Sequence, residues 1–387
     1  MVIRVERPED ARTGAFIVDA IQKKFAENFR LQRLQNYYEG KHDILLRVFR
    51  GDPDKPNNKI VVNYCRVIAD FLTAYLVGVP IQYSNAPSKL LEVIEYNDGA
   101  DTDTELVTQM NIMGFGTELF WTDEFSMPRY TPIDPRESIV IIDDTVEETI
   151  IQYIRVFPTA EQGKGYNVFV YTDKDYQQYH LSESVGELTA VSELIPHYYL
   201  DVPIVLYENN KEKLGSFEGI MSLQDALNKL VSDELNDFEG FVDAFLVLEG
   251  MQATQPEDID NMRLQRVIMT DPTSKAYWLT KNVNNTHIKD LKASLERSIR
   301  EMANIPDIEN IGALSSGTAL RFKLIPTEIQ ASKQERILKK GIQRKLELLY
   351  NIMSIGGGVE DYTAIDVEFE RNFVIEETEN MDGVNHA

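Results

Sequence analysis

The run "SSGTALRFKLIPTEIQASKQERILKKGIQRKLELLYNIM", Ser315 to Met353, keeps a helical pattern for more than thirty residues. Helices of globular proteins average about 11 to 12 residues, so a rod of this length sets the scale of whatever is built around it. Pro326 predicts a kink, because proline lacks the backbone donor and crowds the preceding turn. Two other segments are nearly as long. "GIMSLQDALNKLVSDELNDFEGFVDAFLVLEG" aligns Ile220, Leu223, Leu227, Leu230, Phe238, Val242 and Phe245 along one seam. If continuous from Gly219 to Leu248, it spans roughly 45 Å at 1.5 Å per residue. "HIKDLKASLERSIREMANI" carries Leu291, Leu295, Ile299 and Met302 as a narrow stripe flanked by Lys292, Glu296, Arg297 and Arg300, the pattern of a helix packed on few neighbours. Three such rods describe struts more than a compact catalytic domain.

The rest of the chain mixes shorter helices with strands. Thr13 to Tyr38 reads as a helix stopped by Gly40, with Phe16, Ile17, Ile21, Phe25 and Phe29 near one face. "KPNNKIVVNYCRVIADFLTAYLVGVPIQYS", Lys55 to Ser84, predicts a helix over about Val62–Val77 followed by a strand. Asn57, Asn58 or Asn63 caps its start; Gly78 is expected in the left-handed conformation at its end, and Pro80 blocks extension. "DTDTELVTQMNIMGFG" opens a third helix with a capping box of Thr102 and Glu105. Its Asp101, Asp103 and Glu105 imitate a calcium loop, but Leu106 stands where that loop requires glycine. From Glu118 to Tyr207 the period becomes two: "ELFWTDE", "ESIVIIDD", "TIIQYIRVF", "YNVFVYTD" and "DYQQYHL" predict an antiparallel β region. "LQRVIMT" and "KAYWLT" read as two short strands, and "AIDVEFERNF" as a late one. The fold class is α+β.

Charge and motifs narrow the function. The formal net charge of -24 argues against a protein that coats nucleic acid, which would present Lys and Arg to phosphate. Eight basic residues from Arg321 to Lys345 stand against two acids, a local +6 that leaves about -30 for the remainder. The single cysteine, Cys65, forbids an internal disulfide and sits in an apolar helical pattern, as a buried, inert thiol does. His42, His180, His197, His287 and His386 are scattered without metal-ligand spacing, and neither a GxSxG elbow nor a Walker A loop is present. No cofactor or metal is expected. No apolar run approaches the roughly 18 residues of a membrane span, and "MVIRVERPED" lacks a signal-peptide core, so no membrane association is expected.

The segments "KPNNKIVVNYCRVIADFLTAYLVGVPIQYS", "SLQDALNKLVSDELNDFEGFVDAFLVLEG", "SSGTALRFKL" and "DVEFERN" occur in the order found in portal proteins of tailed double-stranded DNA bacteriophages. Over about residues 30 to 375 the chain resembles the siphophage-type portal family. The resemblance implies a portal-like fold: a β-rich and helical wing from 1–217, paired long stem helices at 218–247 and 287–308, and a small α/β clip at 248–286. A tunnel loop follows at 309–318, then a long wing helix and returning strand over 319–377, and an acidic tail at 378–387 with the composition of a disordered segment. Other members continue into a helical crown, which is expected here to be short or missing.

The implied assembly is a homo-oligomeric ring, usually of about twelve subunits and possibly thirteen when isolated. It stands at one capsid vertex of the virion, after assembly in the host cytoplasm. Double-stranded DNA is packaged and ejected through it, and it docks the terminase large subunit, then the head-tail adaptor, beside the major capsid and scaffold proteins. The implied role is structural, not enzymatic. Asn310, Ser315, Ser316 and Thr318 become tunnel-loop candidates facing DNA. Lys289, Lys292, Arg297 and Arg300 become stem candidates, and Lys333, Arg336, Lys339, Lys340 and Arg344 become inter-subunit or DNA candidates on the long helix. Two other readings compete: an acidic adaptor or scaffold binding one partner, and a nucleic-acid-processing enzyme using Mg²⁺ held by scattered acids.

Overall fold

The computed structural model describes residues 1–48, 56–160, 164–182, 186–240, 245–249, 275–279, 285–307, 317–355 and 361–371. In chain order the elements begin β1 (Val2–Val5), α1 (Gly14–Tyr38), α2 (Tyr64–Val77), β2 (Gln82–Ser84), α3 (Ser88–Tyr96) and α4 (Gly99–Met113). The strands β3 (Phe115–Thr122), β4 (Pro128–Ile133), β5 (Ser138–Asp143), β6 (Ile150–Pro158), β7 (Tyr166–Tyr171) and β8 (Asp175–Leu181) follow. Then come β9 (Leu188–Ala190), β10 (Ile195–Pro196), β11 (Ile204–Glu208), α5 (Met221–Gly240), β12 (Phe245–Glu249) and β13 (Lys275–Leu279). The chain closes with α6 (Asn285–Met302), α7 (Gly317–Ser354) and β14 (Asp366–Glu368). It divides into two compact units, one from 1–41, 63–221 and 299–387, the other from 42–62 and 222–298.

In the first unit the main sheet runs β1-β5-β6-β7-β8-β10, with β9 also on β8. All its pairs are antiparallel as expected except that Val2–Val5 joins β5 in parallel. Strand β1, four residues interrupted by Arg4, carries too little alternation to declare itself in the sequence. Helix α1 covers one face, packing Ile17, Ala20 and Ile21 against Ile139, Ile141, Ile154 and Val168. A second sheet, β11-β3-β4, gives Phe120, Tyr130, Val205 and Tyr207 to a core shared with α7, whose Leu324, Leu338, Ile342, Leu346 and Leu349 recur at helical spacing. Strands β2 and β14 pair antiparallel, and the Ser84 hydroxyl donates to Glu368 at 3.0 Å across 284 positions.

Of the local capping expectations one holds and two do not. Asn63 is the cap of α2: it accepts the Arg66 N–H at 3.1 Å, and its amide donates to the Tyr38 carbonyl at 2.9 Å. Gly78 is right-handed, at φ -67°, so the expected left-handed cap is not formed. Pro80 forces its predecessor out of the helical region, so termination does not require the glycine. The capping box also fails. Helix α4 starts earlier, behind Asp98 at φ 50°. Thr102 therefore lies inside it and donates to the Asn97 and Asp98 carbonyls at 2.9 Å each.

In the second unit α5 ends at Gly240, and Phe245–Glu249 pairs antiparallel with Lys275–Leu279. The continuous helix from Gly219 to Leu248 is thus overturned. Glycine is a poor helix former, and the aromatic and branched "FLVLE" finds a strand partner instead. A strand in "KAYWLT" is present; "LQRVIMT" and the tail at 378–387 lie outside the described residues.

Helix α5 also carries a polar ridge. Gln224, Asn228, Ser232 and Asn236, four apart, bond the backbone of 58–62. The Asn58, Ile60 and Val62 N–H groups donate to Asn236, Ser232 and Asn228 at 2.7, 2.9 and 2.9 Å, and Gln224 donates to the Val62 carbonyl at 2.5 Å. The match is metric: two residues of extended chain advance about 6.6 Å and four of helix about 6 Å.

Candidate assembly and channel elements

The long helix α7 is held by charges that hydrophobic patterning does not reveal. Lys345 lies buried on it, with its ammonium 2.8 Å from Glu118 on β3, 3.4 Å from Asp103 on α4 and 3.7 Å from the centre of the Tyr130 ring. The Tyr207 hydroxyl donates to the other Glu118 oxygen at 3.0 Å. Burial pulls the Lys345 ammonium down, but Glu118 and Asp103 outweigh it and hold it well above the ordinary lysine value. Both carboxyls are raised, chiefly by burial, which the single shared cation only partly offsets. The buried Gln334 amide donates to Asn111 at 2.9 Å and also to Asn209. Nearer the start of α7, Arg371 clamps Glu328 and Glu335 at 2.9 and 2.7 Å. The Arg371 hydrogen bond lowers Glu328; Lys339 and Arg371 lower Glu335 against the opposing effect of burial.

The anticipated residues separate into paired and unpaired sets. Arg300 donates to the Tyr64 hydroxyl at 3.1 Å and pairs with Asp307 at 3.7 Å. Lys289 and Arg297 are exposed and Lys292 half-exposed on α6, without an ion pair among the described residues. On α7, Lys339 pairs with Glu335 at 2.9 Å, and Arg344 with Asp201 and Glu347 at 2.7 and 3.0 Å. Lys333, Arg336 and Lys340 are exposed, again with no ion pair among the described residues. Asn310, Ser315 and Ser316 fall outside the described residues. Thr318 belongs to the first turn of α7 and not to a loop, since the helix already includes Gly317.

The described histidines stand apart from one another. His42 contacts Asn228 at 2.8 Å, His180 the Lys164 carbonyl at 2.8 Å and His197 the Thr172 carbonyl at 2.9 Å; His287 is exposed, and His386 lies outside the described residues. Cys65 is buried. Among the described residues no group of three His, Cys, Asp or Glu side chains is arranged to hold a metal ion, and no helix is long and apolar enough to cross a membrane.

Residues 19–387 match the family described as "Phage portal protein, SPP1 Gp6-like". The chain belongs to that portal protein family. Two relatives, both called "Portal protein", agree. That of Bacillus phage SPP1 is 23% identical over 353 residues, covering 84% of this chain and 68% of the relative. That of Clostridium phage phiCD119 is 21% identical over 394 residues, covering 92% and 86%. Among solved structures, a chain from the neck of an empty gene transfer agent particle aligns at TM-score 0.48 and 11% identity over 79% of this chain and 80% of that one. A chain from a native gene transfer agent virion aligns at TM-score 0.45 and 10% identity over 80% and 79%. Portal family membership makes this a ring-forming structural protein of the phage particle, associated with the capsid, and favours the portal reading over an adaptor or a Mg²⁺-dependent enzyme.

Proposed function

We propose that the protein forms a closed ring of about twelve subunits whose bore conducts double-stranded DNA into and out of the capsid, and that it performs no bond-breaking chemistry itself. The carrying observation is the family match over residues 19–387. In this reading α5 and α6 line the stem, the segment between α6 and α7 faces the DNA at the tunnel, and the strand pair β12–β13 belongs to the clip. The clip presents its edge to the packaging motor (the terminase large subunit) and later to the head-tail adaptor, while the β-rich first unit meets capsid and scaffold.

The electrostatics support a conduit more than a clamp. Twelve copies at -24 each carry about -290 formal charges, and an acidic wall repels phosphate, so a duplex slides without the contacts that make binding tight and salt-dependent. Mass photometry of the purified protein, with end-on electron-microscope class averages, tests the reading: an annular particle of about twelve or thirteen chains is expected. Monomers or small oligomers at every concentration would refute it.

A further inference from the structure

Helix α7 buries one side and leaves the opposite side bare. Phe322, Ile325, Ile329, Lys333, Arg336 and Lys340 fall within an arc of about 80° over about 27 Å of helix. The first three are 68%, 46% and 54% exposed, large for apolar side chains, and the last three are exposed cations. Cations elsewhere around the same helix are satisfied within the chain, Lys339 by Glu335, Arg344 by Asp201 and Lys345 by Glu118. Only the outward row of this set lacks an ion pair among the described residues.

We propose that this face of α7 seats against a second copy of the chain, the apolar trio as the anchor and the basic trio as the charged rim. The inference deepens the ring reading and rests on it. A nucleic-acid backbone rewards the three cations but gives nothing for three exposed Phe and Ile side chains, whereas protein interfaces combine an apolar centre with a polar rim. The partner surface is supplied by the chain itself, since outside the basic run each copy carries about -30. A ring needs such a heterologous contact, in which one patch meets a different patch of the neighbour. A strip about 27 Å long and ~10 Å wide provides roughly a third of the ~800 Å² per partner of a standard interface, so it acts as one part of a larger contact.

The test compares wild type with Lys333→Glu/Arg336→Glu/Lys340→Glu and with Phe322→Ser/Ile325→Ser/Ile329→Ser by mass photometry, with melting curves for folding and nuclease-protected DNA in particles as a second readout. Wild type should form rings, and both variants should melt as wild type does while losing about tenfold or more of the ring fraction. Wild type without rings would sink the ring reading itself. Rings unchanged in both variants would sink only this inference, and so would rings unchanged with DNA retention lowered in the charge variant, which would assign the cations to phosphate. Arg336→Cys keeps the proposal falsifiable should the triple variants misfold. Cys65 is the sole cysteine and is buried, so the new thiol reports alone: it should react at least tenfold more slowly in rings than in monomers. Equal rates would overturn the proposal.

Discussion

Lys345 shows how much a single position on an otherwise ordinary helix can carry. Replacing it by Met leaves Glu118 and Asp103 facing each other in a dry core, and losing one partner of such a group costs about 3–5 kcal/mol. Urea unfolding should register that loss for Lys345→Met, and adding Glu118→Gln should recover part of it. Gly78 makes the opposite point. Because it is right-handed and exposed, Gly78→Ala should leave the melting temperature unchanged or slightly raised. A marked drop would restore the left-handed cap that the sequence suggested. Arg371 adds a pH term. Glu328 and Glu335 sit below the ordinary glutamate value, so the stability they lend is complete above about pH 4.3 and is lost as pH falls through their depressed values. Thermal melts from pH 7 to 3 should therefore fall more steeply in wild type than in Glu328→Gln/Glu335→Gln. None of these roles was legible in the sequence. A lysine in a basic helical run looks the same whether it faces water or two buried carboxylates.

At the level of elements, legibility followed period and length. Helix α1, α2 with its Asn63 cap, and strands β3, β5, β6, β7 and β8 all declare themselves through apolar spacing and turn residues. What failed was the end of α5, where one apolar seam runs unbroken through a change from helix to strand, because Leu, Val and Phe serve either period. The polar ridge of α5 was missed for a different reason: Gln224, Asn228, Ser232 and Asn236 look like a solvated face until the backbone of 58–62 is laid beside them. Close approach has its own signature on α7. A Cβ built on Gly341 would come within 2.3 Å of the Tyr207 ring. Gly341→Ala gains up to about 1 kcal/mol of helix propensity yet should destabilise by about 1–3 kcal/mol overall through overpacking, measurable by denaturant unfolding. A more stable variant would mean that α7 and β11 are not in contact there.

For the whole molecule, the ordered segments quoted above were enough to anticipate the family, while the individual channel-facing side chains were not, since they depend on neighbours that only the assembly supplies. On the proposed tunnel placement, deleting Asn310–Ser316 should leave the number of subunits per ring unchanged while lowering DNA packaged per particle. Loss of assembly instead would take that segment out of the lumen. The pairing of Gln82–Ser84 with Asp366–Glu368 has a consequence for timing. A ribosome must add another 284 residues after Ser84 before Glu368 can meet it in that small sheet, and contacts so distant along the chain form late and slowly. Partly made copies emerging side by side on one messenger thus lack a finished body to offer each other, which discourages premature association during translation.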